Sequence, residues 1–133
     1  MIVDLPESLH DDAIALWHRV GLTRPWNDPG QDLRNAVEGP SSTVLAWVAD
    51  GLVGTAMVGV DGHRGWMYYL AVDPDAQRSG IGRQLVAAAE EWVRARGIPK
   101  LMLMVRADNS PVIGFYEALG YELNEVATLG RRL

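Results

Sequence analysis

A short glycine-containing turn, residues 77–82 (Gln-Arg-Ser-Gly-Ile-Gly), most restricts how this chain can fold. It follows an apolar run over 66–72 and precedes a long amphipathic segment, so it predicts a junction between a strand and a helix. The first backbone N–H groups of a helix lack intrahelical partners, and the helix dipole adds roughly half a positive charge there. The turn therefore predicts either an anion site, for example for a pyrophosphate, or a simple strand-to-helix turn.

The pattern of apolar and turn-forming residues predicts alternating helices and strands. The predicted helices cover 9–20, a short stretch to about 38, the segment from near Gly80 to Gly97, and 111–119; the predicted strands cover 43–49, 52–60, 66–72 and 100–105. Asp50-Gly51 predicts a tight hairpin. The strand over 66–72 lacks polar alternation, which predicts burial on both faces, and the intervening helix predicts that it runs parallel to 100–105.

Cap and turn residues predict where these elements begin. Ser8, with Asp11 three residues later, resembles a capping box before the first helix, and residues 21–30 read as a loop. Ser110 is the expected N-cap of the last helix, which would leave the Asn109 side chain free. The tail, residues 121–133, is long enough for two short strands.

Composition excludes several functional classes. A chain of 133 residues, 48% hydrophobic, predicts one domain over 1–133. Because there are no cysteines and the three histidines are scattered, we expect no disulfide, thiolate metal site or cysteine nucleophile. The net charge of -5 argues against nucleic-acid binding and suits a cationic acceptor such as an amine. No apolar stretch reads as a membrane span or export signal, so a cytoplasmic location is expected.

The order of elements and motifs is informative. A strand leads into the Gln-x-x-Gly-x-Gly turn, a helix and a second strand, and residues 109–121 then read Asn-Ser-Pro-Val-Ile-Gly-Phe-Tyr-Glu-Ala-Leu-Gly-Tyr. Over about 43–125 this succession resembles the GNAT superfamily of acyl-CoA-dependent N-acetyltransferases. Residues 24–29 and 61–65 also look like the YpeA branch of small bacterial acetyltransferases. The resemblance implies an α/β GNAT fold, with a mixed, mostly antiparallel sheet flanked by helices.

The resemblance also implies that acetyl-CoA binds and that CoA is released. The amides of Leu70 and Val72 would hold the pantetheine arm and the thioester carbonyl, and amides in the glycine turn would cradle the pyrophosphate. The implied cofactor-binding residues are Leu70, Ala71, Val72, Gln77, Arg78, Ser79, Gly80, Ile81, Gly82, Arg83, Asn109 and Tyr116. Independently, an acidic protein that binds a polyanion needs local positive potential. Arg78 and Arg83 would supply it, unless they are only solvent-exposed side chains at the start of the helix.

Tyr116 and Asn109 each have two interpretations. Tyr116 resembles the family tyrosine that protonates the departing CoA thiolate, a role that suits a phenol with an ordinary pKa near 10. Its spacing fits equally an aromatic residue on the buried helix face. Asn109 would hydrogen-bond the pantetheine arm or would instead act as an N-cap.

Direct attack on the thioester requires a deprotonated amine, and deprotonating an ammonium costs about 4 to 5 kcal/mol at pH 7. Acetyltransferases of the RimI type carry a glutamate where this chain has Met104, and because a methionine cannot accept a proton, this position argues against that base and that substrate. The remaining candidates are Asp28, Asp61, His63, Glu125, or water relayed past Tyr68 or Tyr69. Asp61 and His63 also fit ordinary turn positions.

In GNAT folds the segment between the first two helices lines the acceptor side, which points to Trp26, Asn27 and Asp28; Tyr69 is the fourth substrate residue that the resemblance implies. Asp28 could meet an ammonium and Trp26 offers a π face, unless Trp26 only fills the core beneath the loop.

We therefore predict an acetyl-CoA-dependent N-acetyltransferase that acts on a primary amine of a small molecule or peptide by direct attack in a ternary complex. The alternatives are a non-catalytic acyl-CoA-binding or regulatory module and a purely structural α/β domain. Little sequence follows Tyr121 for the last strands, so a second subunit could complete the sheet edge in a homodimer.

Overall fold

The computed structural model describes residues 1–76 and 79–133. Its strands are β1 (Ile2–Asp4), β2 (Ser42–Ala49), β3 (Gly51–Val60), β4 (Gly65–Val72) and β5 (Leu101–Leu103), and its helices are α1 (His10–Arg19), α2 (Pro29–Glu38), α3 (Ile81–Arg94) and α4 (Ser110–Ala118). Short 3₁₀ turns at Glu7–Leu9 and Pro74–Ala76 precede α1 and follow β4. None of the described helices is long and apolar enough to cross a lipid bilayer.

The strands form one sheet in the order β1-β2-β3-β4-β5. Each neighbouring pair is antiparallel except β4 and β5, which are parallel. This arrangement confirms the predicted mixed, mostly antiparallel sheet, the hairpin at Asp50-Gly51 and the parallel crossover through α3. Strand β1 was not predicted, because three residues are too short to display an alternating pattern.

Helices cover both faces of the sheet. Buried side chains of α1 and α2, including Trp17 and Leu33, pack on one face together with Val44 and Ala46. On the other face, α3 packs against neighbouring positions of the same strands, such as Leu45. This division follows from strand geometry, because successive side chains of β2 point to opposite faces.

Strand β4 carries a bulge in its second half. Met57 pairs with Tyr68 and Thr55 pairs with Ala71, so one residue of β3 lies opposite two residues of β4. Tyr69 within the bulge has a φ of 51°, in the left-handed region that non-glycine residues rarely adopt. The prediction that this strand is buried on both faces is wrong at Tyr68, which is 44% exposed.

The first two helices begin differently from the sequence prediction. The capping box is wrong: Ser8 lies inside the 3₁₀ turn, and Leu9 precedes α1 without a side-chain cap. Helix α2 begins inside the predicted loop, at Pro29. Asp28 is its N-cap, and the Oδ1 atom of Asp28 accepts a hydrogen bond from the Gln31 N–H at 3.0 Å.

Helix α3 confirms the predicted amphipathic segment. Gly80, its N-cap, has a φ of 82°, a conformation that glycine adopts without strain. The helix buries Ile81, Leu85, Val86, Ala89 and Val93 and ends at Arg94. A turn then leads to Gly97, whose φ of 76° is also left-handed.

The end of the chain differs from the prediction in two respects. Asn109, not Ser110, is the N-cap of α4, and its Oδ1 atom accepts from the Val112 N–H at 3.4 Å. Proline fits either the first or the second position of a helix, because neither N–H has a partner within the helix. Pro111 therefore did not determine which residue begins α4. Residues 121–133 form no strand. Completion of the β5 edge by a second subunit stays a prediction.

Candidate active site

Strands β4 and β5 stop pairing halfway along β4. The parallel ladder joins Gly65 to Leu101, Trp66 to Met102 and Met67 to Leu103. Strand β5 then ends, whereas β4 continues to Val72. Residues 68–70 therefore have no ladder partner in β5, and the strands leave a wedge whose β4 side carries main-chain polar groups.

The amino terminus of α3 lies at the far end of β4. A Cβ atom added to Gly82 would lie 3.5 Å from the Phe115 Cζ atom and 3.7 Å from the Val72 Cγ2 atom. The first turn of α3, the end of β4 and helix α4 therefore meet at Gly82. Arg83 and Ser79 are exposed beside this junction, and the Ser79 hydroxyl donates to the Ala76 carbonyl. Gln77 and Arg78 lie outside the described residues.

Tyr116 is buried on α4, with 8% of its surface exposed. Its ring contacts Phe115 and Tyr121 edge to face, at centroid distances of 5.1 and 5.6 Å. Burial raises the pKa of Tyr116 to about 12, so the phenol is protonated throughout the physiological range. Asn109 caps α4 through the carbonyl oxygen of its side-chain amide. Capping does not use the NH₂ group of that amide, which can still donate hydrogen bonds.

A pocket of about 550 Å³ lies on the opposite side of β4, between α2, the segment before it, and strands β2 to β4. Its polar lining consists of Asn27, Asp32, Asn35, Ser42, Tyr68 and Tyr69. Two of the four predicted acceptor-site residues, Asn27 and Tyr69, thus line one cavity.

The other two predicted acceptor-site residues lie outside that lining. Asp28 caps α2. Trp26 is 57% exposed, and the Arg132 guanidinium lies 5.4 Å from its ring centroid. The interpretation that Trp26 fills the core beneath the loop is therefore wrong.

Tyr69 is held in the pocket wall by a chain of contacts. Its hydroxyl donates to the Asp32 Oδ2 atom at 2.8 Å, and its ring stacks on the Trp17 ring with a distance of 4.0 Å between the ring centroids. The Trp17 indole donates to the Thr55 hydroxyl, which donates to the Tyr69 carbonyl, each at 2.9 Å. Burial and the hydrogen bond to Asp32 raise the pKa of Tyr69 far above its ordinary value.

Asp32 was missed by the sequence reasoning, although a signal was present. It precedes the buried Leu33 by one residue and the buried Ala36 by four, which assigns it to the side of α2 nearest the sheet. A carboxylate on the inner side of an amphipathic helix is uncommon unless it has a partner.

Of the sequence candidates for a base, Tyr68 and Tyr69, past which water could be relayed, line the pocket, whereas Asp28, Asp61, His63 and Glu125 lie outside its lining. The Asp61 carboxylate accepts from the Arg64 and His63 N–H groups at 2.7 and 2.8 Å, and these bonds lower the pKa of Asp61. The turn that it forms precedes Gly65, at the end of β4 opposite the wedge, so the turn interpretation describes Asp61 best. His63 and Glu125 are exposed, and Met104, just beyond β5, is 55% exposed.

Comparison with known proteins agrees with this architecture. The family model described as Acetyltransferase (GNAT) family matches residues 7–121. Acetyltransferase ECA0875 of Pectobacterium atrosepticum is 49% identical over 121 residues, which cover 90% of this chain and 86% of that protein. This relative agrees with the predicted likeness to bacterial acetyltransferases.

Two solved structures extend the comparison. AAC(6')-Iy, solved in complex with the bisubstrate analogue CoA-S-monomethyl-acetylneamine, has a TM-score of 0.84 at 17% identity, over 100% of this chain and 97% of that one. The ribosomal-protein-S18-alanine N-acetyltransferase from Escherichia coli has a TM-score of 0.75 at 26% identity, over 90% and 76% of the two chains. These structures share the fold, and the family model and the relative from Pectobacterium atrosepticum show that the chain belongs to the GNAT family of acetyl-CoA-dependent acetyltransferases.

Proposed function

We propose that this acetyltransferase transfers the acetyl group to a primary amine of a small molecule or peptide by direct attack in a ternary complex. The observation that carries the proposal is the position of β4 between two sites. Tyr69 packs with the cluster beside the pocket, and the next residue, Leu70, packs with the cluster beneath α3 and α4. An acceptor in the pocket and a donor in the wedge would therefore meet across one strand. The bisubstrate analogue bound by AAC(6')-Iy joins the same two kinds of ligand.

The residues around the wedge fit a CoA ester. The exposed turn at Gly80 precedes the first amides of α3, which have no partner within the helix, and Arg83 adds positive charge to an otherwise acidic protein. We assign the pyrophosphate to residues 79–83 and, from the sequence alone, to Gln77 and Arg78. The amides of Leu70 and Val72, with Ala71 between them, and the Asn109 amide would hold the pantetheine arm.

Acetyl-CoA supplies an activated thioester carbonyl, and the chain supplies position and polarity. The Leu70 N–H would polarise the carbonyl oxygen from the β4 side of the wedge, where a preorganised donor stabilises developing negative charge. Holding both reactants beside one strand removes much of the entropic cost of a bimolecular reaction. These two effects act on the neutral amine. The proton of the acceptor ammonium would pass to water beside Tyr68 or Tyr69 before attack, which suits a site with Met104 beyond β5.

Tyr116 would donate a hydrogen bond to the departing sulfur. With a pKa of about 12 the phenol holds its proton more tightly than a thiol of ordinary pKa near 8.5. Complete proton transfer would cost about 5 kcal/mol, so a hydrogen bond in the transition state is the stronger assignment. Membership of a family of acetyltransferases favours this catalytic role over the non-catalytic acyl-CoA-binding module.

A matched pair of glycine variants tests the donor site. Gly80→Glu introduces a carboxylate at the amino terminus of α3, whereas Gly97→Glu introduces one beyond its carboxyl end. Both glycines have a positive φ and open space around an added Cβ atom, so the two substitutions carry similar backbone strain. Calorimetric titration with acetyl-CoA should show at least tenfold weaker binding for Gly80→Glu alone. Equal affinity in both variants would contradict the assigned cradle.

The same preparations test transfer. Wild-type protein, acetyl-CoA and a panel of primary amines should release the CoA thiol in proportion to acetylated amine. Binding of acetyl-CoA without amine-dependent thiol release across small-molecule and peptide acceptors would favour the non-catalytic module.

A further inference from the structure

We infer that the pocket beside Tyr69 binds a small acceptor with two cationic groups, one that reacts and one that is anchored by the Asp32 carboxylate. This inference rests on the proposed function and names its substrate class: a compact diamine or oligoamine, rather than the terminus of a folded protein.

Charge is the first observation. Among the described residues that line the pocket, Asp32 is the one with a charged side chain. Asn27, Asn35 and Ser42 add neutral polar groups, while Leu22 and Met57 contribute apolar surface. In the part of the chain that the structure describes, the ion pairs involve Arg19 and Arg94, and none of them includes Asp32. A half-buried carboxylate that faces a cavity without a counter-ion favours a cationic ligand.

Preorganisation is the second observation. The Asp32 Oδ2 atom accepts from the Tyr69 hydroxyl at 2.8 Å, and Tyr69 is itself fixed by its stacking on Trp17 and the hydrogen bond to its carbonyl from Thr55. One hydrogen bond uses only part of the capacity of a carboxylate, so Asp32 can accept further donors. The orientation of the charge therefore does not have to be established when the ligand binds.

The chemistry of the attack shows that the cation bound by Asp32 and the amine that reacts are different groups. Leu70, assigned to the thioester carbonyl, directly follows Tyr69 in β4. If Asp32 bound the reacting ammonium, it would favour the charged form and oppose attack. The anchored cation must therefore be a second group on the acceptor.

Volume limits the size of this acceptor. A cavity of about 550 Å³ falls in the range of small-molecule sites and holds a short chain or a few sugar-sized rings.

Direct binding tests the inference independently of catalysis. Protein saturated with CoA, which cannot turn over, is titrated with 1,4-diaminobutane and with butylamine as the matched monoamine. We expect the diamine to bind at least tenfold more tightly. Asp32→Asn should weaken diamine binding about 10- to 100-fold and leave butylamine binding unchanged. Equal affinities for the two amines, or full diamine affinity in Asp32→Asn, would overturn the inference.

Two further variants complete the test. Glu38→Gln removes one negative charge from the same helix, at an exposed position outside the pocket, and should leave diamine binding intact. Asn35→Lys introduces an ammonium into the pocket from an exposed helix position and should abolish binding even if Asp32→Asn fails to fold. Normal diamine binding in Asn35→Lys would contradict the inference. Diamine binding without acetyl transfer would instead contradict the proposed function alone.

Discussion

Single residues differ in how directly their surroundings identify their roles. Tyr116 lies among aromatic rings, which is what the core-packing interpretation predicted, and burial also gives it the raised pKa of a persistent hydrogen-bond donor. Packing and catalysis therefore make compatible demands on one side chain. Asp32 is the opposite case, because its contact with Tyr69 joins residues 37 positions apart in the chain.

Replacing Tyr116 by phenylalanine separates packing from chemistry, because the ring remains and only the hydroxyl is lost. We expect kcat to fall about 10- to 100-fold while the affinity for acetyl-CoA changes little. Steady-state kinetics and calorimetry measure the two effects. Tyr121→Phe is the matched control, since it removes a neighbouring hydroxyl that donates to Glu90 at 2.7 Å. Unchanged turnover in Tyr116→Phe would remove Tyr116 from the mechanism.

Among the elements, helix α3 and strand β4 approach each other closely at Gly65, at the end of β4 opposite the wedge. A Cβ atom on Gly65 would lie 2.6 Å from the Val93 Cγ2 atom and 2.7 Å from its Cγ1 atom. The absence of a side chain at Gly65 therefore lets α3 lie directly on β4, at the first residue that pairs with β5. The position of α3 beside the wedge depends on this contact.

Gly65→Ala should reduce the free energy of unfolding by about 1 to 3 kcal/mol, because the added methyl group overlaps with Val93. Val93→Ala removes the overlapping methyl groups, so its effect should not add to that of Gly65→Ala. Chemical denaturation of the two single variants and the double variant measures this coupling. Strictly additive effects would mean that the helix relaxes away from the strand without cost.

At the scale of the whole molecule, one buried and two half-buried tyrosines make the stability of the fold depend on alkaline pH. Burial raises the pKa of Tyr116 to about 12, and the pKa values of Tyr69 and Tyr121 are also raised, by burial and by their carboxylate partners. A raised pKa means that the folded state favours the protonated phenol. The resulting stabilisation is complete below the unfolded pKa near 10 and is lost as pH rises through the folded value.

We expect Tm to fall steeply between pH 10 and pH 12, with Tyr116 contributing up to about 2 to 3 kcal/mol of the loss. Tyr116→Phe should show a shallower decline than the wild type in thermal unfolding followed by circular dichroism. Parallel declines in the two proteins would show that Tyr116 ionises with an ordinary pKa. Between pH 6 and 9 its protonation should leave activity unchanged.

The amino-acid sequence by itself determined the features that depend on neighbouring residues. Asp50-Gly51 specified the hairpin, the apolar period specified α3, and the glycine turn specified the junction before it. These signals are local, because a turn, a helical face or a cap involves residues only a few positions apart. The choice between Asn109 and Ser110 as N-cap failed because both residue types satisfy the same local rule.

Only the tertiary structure decided how distant segments meet. The bulge at Tyr69 depends on how β4 pairs with β3, and the Asp32–Tyr69 contact exists because α2 packs across the sheet. The short strand β1 is likewise defined by its pairing with β2. Each of these features is stabilised by contacts between segments far apart in the chain, which no local pattern of residues encodes.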